Sequence, residues 1–194
     1  MKRRFANQSL VFLLIVMNRK LKLDELNRVS VQEFKNQKKL PIIVVLDNIR
    51  SLNNIGSFFR TSDAFNIEAI YLCGISAQPP HREIQKTALG AAESVEWRYF
   101  ETTEQALGKL KEQEFLIYAI EQTENSIYLQ EFTYNLEKIA LVFGNEVDGV
   151  GQNVINLSKS SIEIPQFGTK HSLNVSISFG VVLWHLVSQS LKGL

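Results

Sequence analysis

The sequence predicts an α/β domain built on a parallel sheet with helices on both faces. From Pro41 onward, short β-branched apolar runs alternate with segments of helical length, the pattern of strands joined by crossover helices. The runs are mostly apolar throughout, as burial on two sides requires. A chain of 194 residues, 45% hydrophobic and 21% charged, has the size and composition of one soluble core with a short appendage.

Residues 41–46 (PIIVVL), 69–73 (AIYLC), 95–100, 115–120 (FLIYAI), 139–143 (IALVF) and 161–164 (SIEI) read as strands. Between them, residues 55–65, 83–92, 103–113 and about 150–157 have helical length. The last helix is expected over residues 172–192, with Ser172 as its N-cap and Lys192-Gly193 as its stop signal. That segment is apolar around nearly its whole circumference, with Ser176 and Gly180 inside it, more than one sheet face can cover. A subunit interface is the natural further sink, and a homodimer is expected.

Residues 1–40 form a separate basic arm. Ten of the 21 Lys/Arg but only three of the 20 acids fall there, so the arm carries +7 and the remaining chain −6. A basic arm on a mildly acidic body suits a polyanionic partner. Lys2-Arg3-Arg4 and the apolar run Leu10 to Met17 imitate a signal peptide, but no small-residue cleavage site follows and Arg19, Lys20 and Lys22 add charge where cleavage would fall. The run is also far short of the roughly 20 residues that cross a bilayer. Leu21, Leu26, Val29 and Phe34 have broadly helical spacing, and translation is expected to start at Met17, with residues 1–16 an upstream extension. One cysteine, Cys73, excludes an internal disulfide and fits a reducing, cytoplasmic setting, and three scattered His offer no metal-ligand spacing, so no metal is expected.

Three segments carry candidate chemistry. Asn54, Gly56 and Arg60 follow the first strand at the carboxyl edge, where open α/β sheets bind ligands. Asn54 and Gly56 are expected to shape the strand-to-helix turn, with Arg60 about one helical turn further on. The second segment, Gly144-Asn145-Glu146-Val-Asp-Gly149, ends a strand in a glycine loop with a carboxylate. Val150-Gly151 stands where a phosphate loop needs Lys-Ser/Thr, and no GxGxxG exists for a dinucleotide. The third is Ile164-Pro165-Gln-Phe-Gly168 followed by Ser172-Leu173-Asn174-Val175-Ser176. Ser172 beside His171 lacks the GxSxG elbow of a hydrolase, and His185 in the last helix reads as a packed residue.

Taken together and in order, these segments resemble the three motifs of the SpoU, or TrmH-like, branch of the SPOUT RNA methyltransferases: N-x-G-x-x-x-R, G-N-E-x-x-G, and I-P-x-x-G followed by S-L-N-V-S. The resemblance covers residues 41–194 without departure at any motif position. It implies an α/β domain whose C-terminal segment forms a trefoil knot, a homodimer, bound S-adenosylmethionine, and methylation of a ribose 2′-hydroxyl of tRNA or rRNA. By motif position it implies that Ile120, Gly144, Ile164 and Leu173 hold the cofactor. Arg60, Glu146, Ser172 and Asn174 then form the reactive site, with Asn54 and Arg60 touching substrate. A guanidinium stays protonated at neutral pH, so Arg60 is expected to hold phosphate and stabilise developing charge rather than act as base. Glu146 is expected to fix backbone donors or Arg60, and Ser172 and Asn174 to bond near the ribose. A non-catalytic RNA-binding relative and a dinucleotide oxidoreductase are the competing readings; the intact motif residues weigh against the first and the missing GxGxxG against the second.

Overall fold

The computed structural model describes residues 19–191. The expectations for residues 1–16, the start at Met17 and the Lys192-Gly193 stop signal lie outside them. Seven strands form one all-parallel sheet: β1 (Leu40–Asp47), β2 (Ile67–Cys73), β3 (Glu96–Phe100), β4 (Leu116–Ile120), β5 (Ile127–Tyr128), β6 (Ile139–Gly144) and β7 (Ser160–Glu163). Their spatial order is β3-β2-β1-β6-β4-β7-β5. The chain winds outward from β1 through β2 to β3, then crosses to the other half of the sheet. The order therefore reverses between β1 and β6, whose carboxyl ends place Asp47 beside Gly144.

Strand alternation divides the core between two faces. Ile42, Val44 and Leu46 of β1, with Leu141 and Phe143 of β6, meet the helices α2 (Leu52–Ala64), α3 (Arg82–Ala88), α4 (Ala91–Ser94) and α7 (Val175–Leu191). Ile43 and Val45, with Ala140 and Val142, meet α5 (Thr103–Glu112) and α6 (Gln152–Leu157). Helices thus cover both faces, as expected. At the centre of the first face Phe58 stacks on Phe179 with ring centroids 4.5 Å apart, and both meet the edge of Phe143.

Several boundaries differ from the sequence expectation for physical reasons. The helix expected over 83–92 is two, broken where Leu89 (φ 50°) and Gly90 (φ 90°) adopt left-handed conformations. Strand β3 is largely exposed, unlike the inner strands, because it lies at a sheet edge and pairs only with β2. Strand β5 has two residues, too few to leave a periodic signal. The last helix begins at Val175, three residues later than expected, and Asn174 rather than Ser172 caps it: its side-chain oxygen accepts the backbone N–H groups of Ser176 (3.0 Å) and Ile177 (3.3 Å).

The described part of the arm, residues 19–39, is not one amphipathic helix. It contains a 3-10 turn (Leu23–Leu26) and a short helix, α1 (Val31–Asn36), and of the four apolar residues at helical spacing only Phe34 is buried. Lys39 pins it: its ammonium lies 3.1 Å from the Phe34 ring centroid and donates to the Phe34 carbonyl (2.5 Å) and Asn66 Oδ1 (2.7 Å). Arg19, Lys20, Lys22, Arg28, Lys35 and Lys38 remain exposed.

Candidate active site

A cleft of about 690 Å³ opens at the carboxyl ends of β4, β6 and β7. Ile120, Phe143, Ile162, Ile164 and Leu173 give it apolar wall, and Glu121, Asn145, Glu146, Ser172 and Asn174 give it polar groups. Its volume and mixed lining match a ligand the size of a nucleoside with a polar tail.

Backbone proximity makes Gly144 obligatory. A Cβ there would lie 1.9 Å from the carbonyl carbon of Gly149 and 2.1 Å from the Val150 nitrogen. Residues 145–149 fold into a tight loop in which Asn145 Oδ1 accepts the N–H groups of Val147 and Asp148, both at 2.9 Å, and Gly149 takes φ +68°. This conformation projects Glu146 across the switch point between β6 and β1. Its carboxylate accepts the backbone N–H of Arg50 (3.2 Å), the backbone N–H of Ser51 (3.2 Å) and Asn54 Nδ2 (2.7 Å). Burial pushes the carboxyl's pKa up, but these hydrogen bonds, with one from its own backbone, outweigh that and hold it below the usual carboxylate range.

Asn54 connects this carboxylate to the third motif. Only 8% exposed, it donates to Glu146 and accepts at Oδ1 from Asn174 Nδ2 (3.2 Å). One side chain from each of the three segments therefore joins a single relay, Asn174 to Asn54 to Glu146. Ser172 lines the same cleft.

Arg60 is not part of this cluster. Six residues beyond Asn54, it lies about 9 Å further along the helix axis and some 240° around it. Asn54 faces inward, whereas Arg60 is exposed and has no hydrogen-bond or ion-pair partner among the described residues. The expected place of Asn54 and Gly56 in the turn is also corrected. Both lie inside α2, which starts at Leu52, and the turn is made by the residues from Asn48, with φ 56°, to the N-cap Ser51. Gly56 serves packing, since a Cβ there would sit 1.9 Å from Thr87 Oγ1 and 2.4 Å from the Ile84 carbonyl oxygen of α3.

Two residues of the site escaped the sequence reading. Glu121 Oε2 accepts the Val150 N–H (3.0 Å), tying the glycine loop to the end of β4. Gln122 donates to the His171 carbonyl (2.8 Å), tying the 164–174 segment to the same point. The available signal was their position, two polar residues directly after an apolar strand at the ligand-binding edge. Among the described residues no group of three or more His, Cys, Asp or Glu side chains gathers as for a metal ion, and no helix is long and apolar enough to cross a membrane.

The model of the SpoU rRNA Methylase family matches residues 41–184. The 23S rRNA (guanosine-2′-O-)-methyltransferase RlmB of Haemophilus ducreyi is 29% identical over 170 residues, covering 87% of this chain and 68% of that protein. The RlmB of Neisseria meningitidis is 30% identical over 159 residues, 81% of this chain and 62% of that protein. The tRNA (guanosine(18)-2′-O)-methyltransferase of Thermus thermophilus is 28% identical over 168 residues, 87% of this chain and 85% of the relative. Among solved structures, the TrmH/SpoU tRNA modifying enzyme of A. aeolicus superposes with a TM-score of 0.75 at 25% identity, over 84% of this chain and 82% of that one. An AdoMet complex of the SpoU methyltransferase AviRb from Streptomyces viridochromogenes has the same fold, with a TM-score of 0.73 at 19% identity over 83% and 65%. With three motifs gathered at one carboxyl edge and a family match across most of its length, the chain belongs to the SpoU rRNA methylase family.

Proposed function

We propose that the protein is an S-adenosylmethionine-dependent methyltransferase that modifies a ribose 2′-hydroxyl of tRNA or rRNA. The observation that carries this reading is the Asn174–Asn54–Glu146 relay at the mouth of a nucleoside-sized cleft. The cleft fits the cofactor: Ile120, Ile164 and Leu173 offer apolar wall, and Gly144 keeps the floor at backbone height. When bound, S-adenosylmethionine supplies an activated methyl group on a sulfonium and retains the sulfur as a neutral thioether. The chain's own residues then position the acceptor. Glu146 and Asn54 hold the α2 N-terminus against the glycine loop, and Ser172 and Asn174 offer hydrogen bonds at the cleft mouth. The proton leaves the 2′-hydroxyl to a phosphate oxygen or water, since a guanidinium is a poor base.

The reading extends to assembly. Ile177, Val181, Trp184 and Leu191 leave an apolar stripe along α7 between 40% and 57% exposed, which supports a homodimer formed across that helix. Phe65, the C-cap of α2, approaches Trp184 with centroids 6.1 Å apart, so Arg60's helix borders the same surface. In the dimer, Arg60 is then available to hold phosphate of an RNA seated at the neighbouring protomer's cleft. The knot belongs with this reading, as a threading of residues 164–191 supported by the family fold. So do the division into a 1–40 arm and a 41–194 domain, phosphate contacts by the arm, and a cytoplasmic setting. Calorimetry with S-adenosylmethionine and with NAD, followed by labelled methyl transfer to separated tRNA and rRNA from cells lacking the gene, tests it. Binding of the first alone with label in one fraction is expected; NAD binding, or cofactor binding without any label, contradicts the catalytic reading.

A further inference from the structure

The 164–174 segment carries one feature that the relay does not use. Phe167 is 97% exposed, far above any other large hydrophobic side chain among the described residues. Single exposed apolar residues are common, but this fully solvated phenyl ring sits on a segment that leaves β7 at Glu163 and is tied down again at residues 171–174. Gln122 holds the segment at His171, and Asn54 holds it at Asn174. Phe167 directly follows Gln166, which lines the cleft, so its backbone adjoins the cleft wall while its ring stands in solvent.

Charge sharpens the reading. The cleft is lined by Glu121, Glu146, Asp148 and Glu163, a set that repels a polyanion. From Ile164 to Asn174 the chain has no acid and carries Lys170 and His171. An RNA therefore approaches the cleft most favourably over this segment. Methylation of a ribose hydroxyl requires the nucleotide to be held still, yet the relay residues Asn54, Glu146 and Asn174 have no surface on which a base can stack. An exposed aromatic ring on a short segment that also carries a cation, next to a cleft with polar groups at its edge, is the arrangement that grips unpaired bases.

Resting on the function proposed above, we infer that Phe167 is the stacking platform for the base of the acceptor nucleotide, so that the substrate presents this nucleotide unpaired. The ring contributes to RNA capture and orientation rather than to methyl transfer or cofactor binding.

The test uses the full chain and the RNA fraction that the wild type methylates. Phe167→Ala is expected to raise the RNA KM by about 5- to 150-fold, the loss of one base–aromatic stack. The S-adenosylmethionine Kd by calorimetry is expected to stay within about twofold. Phe167→Trp and Phe167→Tyr restore the RNA KM, whereas Phe167→Leu, apolar but without a ring, does not. An unchanged KM in Phe167→Ala, full restoration by Leu, or a cofactor Kd weakened in parallel each overturns the inference, the last by making the ring a cover for the cofactor. A wild-type protein that binds cofactor and methylates no RNA overturns the proposed function first and the inference with it, which separates the two failures.

Discussion

Glu146 has its carboxylate against the hydrogen-bond donors at the start of α2, with no cation among the described residues bonded to it. Because those bonds favour the ionised form, its stabilising effect is full above the ordinary carboxyl pKa of 4.5 and fades as pH falls through the lowered folded value. Glu146→Gln, which keeps the shape but offers one acceptor oxygen, is expected to cost about 1 kcal/mol in urea unfolding at pH 7. That difference should shrink steadily below about pH 4.5. A difference independent of pH would mean that the charge is not what holds the loop. At this scale much of the site was legible: Glu146 stands out as a carboxylate just past a strand end, and Asn54 and Asn174 as polar residues at motif positions. The role of Asn174 as helix cap was not, because Ser172 is an equally good capping residue in sequence and only the backbone path selects between them.

At the scale of elements, the glycines mark where backbones touch. Gly56→Ala is expected to destabilise by about 1–3 kcal/mol, because even with the Thr87 hydroxyl moved aside the added Cβ meets the α3 backbone at the Ile84 carbonyl, which cannot yield as a flexible side chain would. Phe58→Ala, which opens the three-ring cluster with Phe143 and Phe179, is expected to cost about 3–5 kcal/mol. Thermal or urea unfolding measures both, and a cost near zero for Gly56→Ala would show that α2 and α3 part easily. Six of the seven strands were readable; the inner ones stand out as apolar β-branched runs, since burial on two faces leaves a strong signal, whereas the exposed edge strand β3 shows only an aromatic-rich run. Two-residue β5 left none, and the 83–92 helix was read through its break because one Gly in a helical pattern is tolerated often enough to be passed over. The cleft itself was readable only as a sheet edge. Its walls come from segments far apart in sequence, and Glu121 reaches the loop at Val150 across 29 residues.

For the whole molecule, the geometry separates Arg60 from the relay of its own chain and sets it on α2 beside the exposed stripe of α7. Sequence order alone could not show this, since Arg60 and Asn54 share one motif and differ only in helix phase. If the dimer brings Arg60 to the neighbouring site, Trp184→Asp should yield a monomer by sedimentation that binds cofactor weakly or normally but transfers no methyl group. Mixing Arg60→Ala with Glu146→Ala chains, each inactive, should recover roughly a quarter of wild-type activity after random re-association into twofold dimers, because each mixed dimer holds one intact site. No recovery in mixed dimers would place Arg60 in its own chain's site.

In the proposed function, the relay at the cleft mouth serves methyl transfer to a ribose hydroxyl. Mass analysis of nucleosides from RNA treated with the protein and S-adenosylmethionine tests it most directly. A 2′-O-methylated nucleoside is predicted with the wild type and its loss with Asn54→Ala, in a variant that stays folded. Methyl groups on bases, or 2′-O-methylation undiminished in Asn54→Ala, would contradict it.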